Sequence, residues 1–273
     1  MRQERYLQIR DYAVIGDCHT AALISRDGSI DWCCLPRFDS PSVFARLLDA
    51  EKGGWFHIQP LDSYRVQRRY LEGTNVLETT FEAPGGMLTL KDFMPAQGAH
   101  EDDRDRRQEP PRQIVRLLSC LQGRVEVEVS FQPRFDYARV LPTIAALPHR
   151  GVVATGPAER LILAADLPWT AEPSGAKARI ALSAGECGAL VLSHETDASA
   201  AVEPMAVAEV EQLLRRTIEY WRAWSARCTY QGPYREAVVR SALTLKLLSH
   251  APSGAIVAAP TTSLPEEIGG ERN

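Results

Sequence analysis

Hydrophobic positions recur with two different periods along this chain. Up to about residue 200 they alternate. In RVEVEVSF, residues 124–131, Val125, Val127, Val129 and Phe131 fall on one face and Glu126, Glu128 and Ser130 on the other. That is the period of two expected of a strand with one wet side. AALISRDGSIDWCCL, residues 21–35, reads as two strands around Asp27-Gly28, a dipeptide that tolerates the positive φ of a tight hairpin turn. NVLETTFEAPGGMLTLKDF, residues 75–93, repeats the idea around Gly85-Gly86. ARIALSAGECGALVLSHE, residues 178–195, gives a further pair of strands joined through a glycine-containing turn. Many short strands with no helical crossovers between them predict a mainly β fold of antiparallel sheets packed as a sandwich, and argue against a parallel α/β architecture.

After residue 200 the period becomes helical. Val207, Val210, Leu214, Ile218, Trp221 and Trp224 form one stripe at three-and-four spacing, which predicts a helix over 205–227 with Pro204 suited to its first turn. Tryptophans on such a stripe read as core packing before they read as sugar-stacking platforms. A second helix is predicted over 234–250. From Ala237 to Leu248 its only charges are Arg240 and Lys246, so it expects neighbours on all sides. Val238, Val239, Leu243, Leu245, Leu247 and Leu248 are each worth about 1.5–3 kcal/mol when buried. The helix must therefore fold back on the sandwich, self-associate or leave an apolar patch, and a chain lacking residues 233–273 is expected to be better behaved. Two parts follow, strand-rich to about residue 200 and helical after it.

Composition narrows the function classes. A net charge of −4 provides no footprint for nucleic acid or anionic lipid. The charged N-terminus has no apolar segment suited to a signal peptide, and no run approaches the ~18 apolar residues of a membrane span. The six cysteines form no CxxC pair, so reduced, mostly buried thiols in a cytoplasmic protein are expected. The six histidines are scattered singly, and no metal-site signature exists. HEDDRDRRQEPPRQ, residues 100–113, carries nine charges and two adjacent prolines and reads as a solvated loop. No GxSxG elbow, Walker-type loop or helix-opening GxGxxG is present, and EKGGWF and APGGML are glycine turns bordering strands.

Three blocks, in order, carry a family likeness. IGDCHTAALISRDGSIDWCCLPRFDSPSVFARLLDAEKGGWFHIQP, residues 15–60, resembles the opening of the bacterial and archaeal family 15 glycoside hydrolases, the glucoamylase- and trehalase-like enzymes. QPRFDYAR, residues 132–139, resembles a second block of the same N-terminal domain. YREAVVRSALTLKLLSHAPSGAIVAAPTTSLPEEIGGERN, residues 234–273, resembles the first helix and following loop of their catalytic domain. The resemblance implies an N-terminal β-supersandwich, a helical linker and the first helix of a truncated (α/α)6 barrel. It also implies hydrolysis of α-glucosidic bonds with inversion, an oligosaccharide or trehalose as substrate, and no required organic cofactor. In such enzymes the chain beyond this point holds the terminal glucose and, much further on, two catalytic glutamates.

Inverting hydrolysis needs an acid and a base about 6.5–9.5 Å apart. The carboxylates available are Asp31, Asp39, Asp92, Asp136 and the adjacent pair Glu266-Glu267, and nothing in the sequence pairs any two across a cleft. No catalytic residue is therefore assigned. In LPRFDSPSVFARLLD, Arg37 and Asp39 lie between Pro36 and Pro41 directly after a strand. They read either as an ion pair and Asx-type turn fixing the loop or as part of a sugar pocket at the barrel mouth. Arg272 is a second candidate for that pocket. The rival reading, from another class, is a free-standing β-sandwich that binds carbohydrate or a partner protein.

Overall fold

The computed structural model describes residues 6–96, 112–197 and 199–264. Most of the charged stretch 100–113 therefore lies outside the described residues, as do Glu266, Glu267 and Arg272. In the described part, a short 3-10 helix (Ile9–Asp11) comes first, then fifteen strands and two α-helices. The strands are β1 (Tyr12–Gly16), β2 (Ala21–Ser25), β3 (Ser29–Cys34), β4 (Ser42–Phe44) and β5 (Trp55–Pro60). Then come β6 (Arg65–Tyr70), β7 (Leu77–Ala83), β8 (Gly86–Phe93), β9 (Gln113–Gln132) and β10 (Thr143–Leu147). The last five are β11 (Gly151–Thr155), β12 (Arg160–Ala164), β13 (Thr170–Glu172), β14 (Gly175–Ser183) and β15 (Cys187–Glu195). Each pairing among them is antiparallel.

Twenty-residue β9 organises the sheet. Its first half pairs with β8 and β15, and its second half with β5 and β14. From the first half the sheet extends through β7 to β6 and through β12 and β11 to β10; from the second it extends through β3 and β2 to β1, and to β13. One core serves both parts. It gathers Ile24, Ile30 and Phe56 from one side with Phe81, Leu88 and Leu163 from the other, around Val125, Val127, Val129 and Phe131 of β9.

The alternation predicted for β9 is present in Val125 to Phe131, with Glu126 exposed and Glu128 partly so; Ser130 departs from it and is buried. The turns differ in detail from their expected form. Between β2 and β3, Gly28 carries the positive φ (85°). Between β7 and β8 the linking residues are Pro84 and Gly85, while Gly86 already pairs with Ala83. β14 and β15 do not pair with each other. Each takes a different half of β9, joined at Gly185 (φ 88°), whose N–H donates to the Cys120 carbonyl at 2.9 Å.

The helices are α1 (Val207–Ser225) and α2 (Arg235–Leu247), slightly shorter than the periodicity predicts. Val210 and Leu214 of α1 pack on Val115 and Leu117, the face of β9 opposite the main core. Ser225 Oγ and Arg222 Nε bond the carbonyls of Gly73 (3.1 Å) and Glu72 (3.2 Å), pinning α1's end to the β6–β7 turn.

α2 folds back on the rest of the chain. Leu243, Leu247 and Leu248 bury against Cys18, Phe38 and Trp221, while Tyr234, Val238 and Leu245 stay exposed. Removing residues 233–273 would uncover Trp221, so trimming would create apolar surface as well as remove it. Arg240 lies 4.0 Å over the Tyr70 ring and donates to the Thr74 carbonyl (2.7 Å) and the Asn75 side chain, which itself donates to the Leu243 carbonyl. Gly16 fits beneath α2 because it lacks a side chain: a Cβ there would lie 2.7 Å from Leu247.

Candidate functional site

Two segments meet the face presented by β3: the loop from Phe135 to Val140, through Tyr137, and the chain from Pro260 to Leu264. The residues after β3 run on from the same strand. Alternation along β3 sends Cys33 to the main core and Trp32 and Cys34 to the opposite face, where Ala45, Leu47, Tyr137 and Leu264 surround them. The indole N–H of Trp32 donates to the Pro260 carbonyl at 2.9 Å. Cys34 Sγ lies 3.2 Å from Ser263 Oγ. The Tyr137 hydroxyl donates to the Ser263 carbonyl at 3.1 Å.

The loop that aims Tyr137 is strained. Asp136, Tyr137 and Ala138 all take left-handed φ values of 50°, 56° and 67°, a region costing a non-glycine residue about 1–2 kcal/mol each. The Phe135–Val140 bridge closes the loop, and Arg139 holds the Asp136 carboxylate at 3.1 Å. Nothing in DYA announces three consecutive left-handed residues, because only Asp among them tolerates that region readily. Sequence reasoning placed the block in a family but gave Tyr137 no task.

Each described candidate carboxylate has its own local partner. Asp31 is buried and accepts from the Tyr12 hydroxyl (3.0 Å) and Ser29, with Arg46 at 3.7 Å; burial pushes its carboxyl upward against these partners. Asp92 is fully buried on Arg116, which grips it with Nε at 2.7 Å and also donates to the carbonyls of Phe56 (2.7 Å) and Gly28 (2.6 Å). That arginine, lying over the Phe56 ring at 4.7 Å, ties together the two halves of the sheet. Asp136 faces Arg139. Asp39 faces Arg37 at 3.0 Å, both side chains well exposed.

The Arg37-Asp39 pair brackets Phe38, whose N–H donates to the His19 carbonyl (2.9 Å) and whose ring packs in the α1–α2 cluster. The pair thus stands outward on a loop anchored from below, near enough for Asp39 to raise the Cys34 thiol, which burial chiefly pushes up to about 11. Cys18, in the left-handed region at φ 68°, donates to the Lys246 carbonyl at 3.3 Å, and burial pushes its thiol to about 11 as well. Each of the six cysteines is free. Among the described residues no group of three or more His, Cys, Asp or Glu side chains is placed to hold a metal ion, and no helix is long and apolar enough to cross a membrane.

Elsewhere, a cleft of about 940 Å³ opens between the β6–β7 turn and the α1–α2 elbow. Its arginines are engaged: Arg69 with Glu78, Arg222 with Glu72, Arg235 with Cys228 and Arg240 with Thr74.

The fold and this end face define a mainly β, antiparallel module capped by two C-terminal helices. The chain belongs to the trehalase-like N-terminal domain family, whose profile matches residues 2–221. It is similar to the trehalase of Mycolicibacterium smegmatis, at 37% identity over 97% of this chain and 42% of that one. The trehalase of Thermoplasma volcanium is 35% identical over 99% of this chain and 42% of its own, and that of Mycobacterium tuberculosis 35% over 97% and 41%. The chain thus spans about two fifths of the length of these relatives. A solved structure provisionally assigned as a kojibiose phosphorylase, from the human microbiome, aligns at a TM-score of 0.36 and 7% identity over 85% of this chain and 35% of its own. That superposition is too loose to carry an argument.

Proposed function

We propose that the chain is the non-catalytic N-terminal portion of a glycoside hydrolase acting on α-glucosidic bonds, trehalase- or glucoamylase-like and inverting. The observation that carries this reading is the alignment of nearly the whole chain with about two fifths of each of several trehalases. Supporting it, each described candidate carboxylate has its own local partner: Asp31 has Tyr12 and Ser29, Asp39 has Arg37, Asp92 has Arg116 and Asp136 has Arg139. A general acid and base must instead be free to face a bond between them.

In this reading residues 1–200 are the β-supersandwich, 201–232 the linker, and 233–273 the opening of an (α/α)6 barrel in a cytoplasmic enzyme that needs no organic cofactor. Arg37, Asp39 and Arg272 contribute to a pocket for an α-glucoside or oligosaccharide that the rest of the barrel completes. The purified chain should release no glucose above buffer from maltose, soluble starch or trehalose. Turnover that vanishes in Asp39→Ala would overturn the non-catalytic assignment. Firm retention on immobilised glucan would favour a carbohydrate-binding module instead.

A further inference from the structure

The end face joins parts of the chain more than a hundred residues apart. Three contacts converge on six residues, Ala259 to Leu264: Trp32 to the Pro260 carbonyl, Cys34 to the Ser263 hydroxyl, and Tyr137 to the Ser263 carbonyl. Leu264 adds an apolar contact to the same patch. These residues form no helix or strand, so the ladder bonds that fix β9 are not available to them. Their short-range bonds, Thr262 N–H to Ala259 and Leu264 N–H to Thr261, shape turns without placing them on the molecule. Placement comes from β3 and the 135–140 loop.

We propose that Tyr137 is a positioning residue: as the middle one of three consecutive left-handed residues, it clamps the strap 259–264 onto Trp32 and Cys34. Strain retained in a loop asks for a task, and this contact supplies one for Asp136, Tyr137 and Ala138. The functional consequence rests on the reading above: Trp32 and Cys34 lie on β3, which runs directly into the Arg37-Asp39 loop, so a strap held on β3 is held beside the loop proposed to line the sugar pocket.

The test uses the 273-residue chain and thiol labelling resolved to single residues by fragment-ion mass spectrometry, with no hydrolysis involved, so its outcome is separate from that of the glycoside hydrolase reading. Cys34 lies under the strap, whereas Cys33, its neighbour, points into the main core and reports global unfolding. Tyr137→Phe removes one hydroxyl and should speed Cys34 labelling about three- to tenfold, the net effect of a single hydrogen bond, with Cys33 unchanged. Leu264→Asp, on the strap itself, should produce the same selective rise and serves if Tyr137→Phe fails to fold. Cys34 labelled at the wild-type rate in Tyr137→Phe overturns the proposal. So does Cys33 rising in step with Cys34 in both variants, since the protection would then belong to the whole fold.

Discussion

A guanidinium without solvent exposure is the most demanding residue in the molecule. Arg116 and Asp92 are both fully buried, and losing one partner strands the other's charge. Asp92→Ala should cost about 3–5 kcal/mol, seen as a large drop in the urea midpoint. Replacing both residues with apolar ones should not be neutral either. The Phe56 and Gly28 carbonyls would lose their donor, at about 1–3 kcal/mol for each buried group left unmet. Asp31 makes a different prediction. Burial raises its carboxyl above the ordinary value, so the native state holds that proton more tightly than the unfolded chain. Its contribution to stability is greatest below the unfolded value of about 3.9 and declines as pH rises from there through the raised native value. Asp31→Asn has no proton to lose. Urea unfolding across pH should show the variant gaining on the wild type as pH climbs above about 4.

At the scale of elements, α2 and the 135–140 loop behave unlike their sequence averages. α2 is apolar nearly all round, yet only one side of it is covered. Leu247 is buried and Leu245 is 53% exposed, so Leu247→Ala should cost about 2–5 kcal/mol and Leu245→Ala less than about 0.5 kcal/mol. Thermal unfolding of the two variants checks the contrast. In the loop, Ala138→Gly removes a left-handed penalty of about 1–2 kcal/mol and adds about 0.5–1 kcal/mol of backbone entropy cost. The expected result is a stabilisation of up to about 1.5 kcal/mol in urea. A loss of stability would show that the loop's left-handed turn is not strained. The β14–β15 segment carries the same lesson: its glycine turn is plain in the sequence, but each arm pairs with a different half of β9.

For the whole molecule, the expected absence of glucose release is argued from local partnering: the described candidate carboxylates, Asp31, Asp39, Asp92 and Asp136, serve the fold or lie in their own ion pairs. The sequence by itself determined the strand-rich body, the two helices to within about three residues and the family, because periodicity and family blocks are local and survive in linear order. It offered Asp92 and Asp136 only as candidate carboxylates, with no sign of Arg116 or Arg139 as their holders. Tertiary structure alone decided that β9 serves both parts of the sheet, that α2 docks one side on Trp221 and Phe38, and that Trp32, Cys34 and Tyr137 meet the strap 259–264. The physical reason is common to all three. A side chain's hydrogen-bond and packing partners are fixed by strand register and chain crossings over separations from tens of residues to more than two hundred, and no local propensity encodes them.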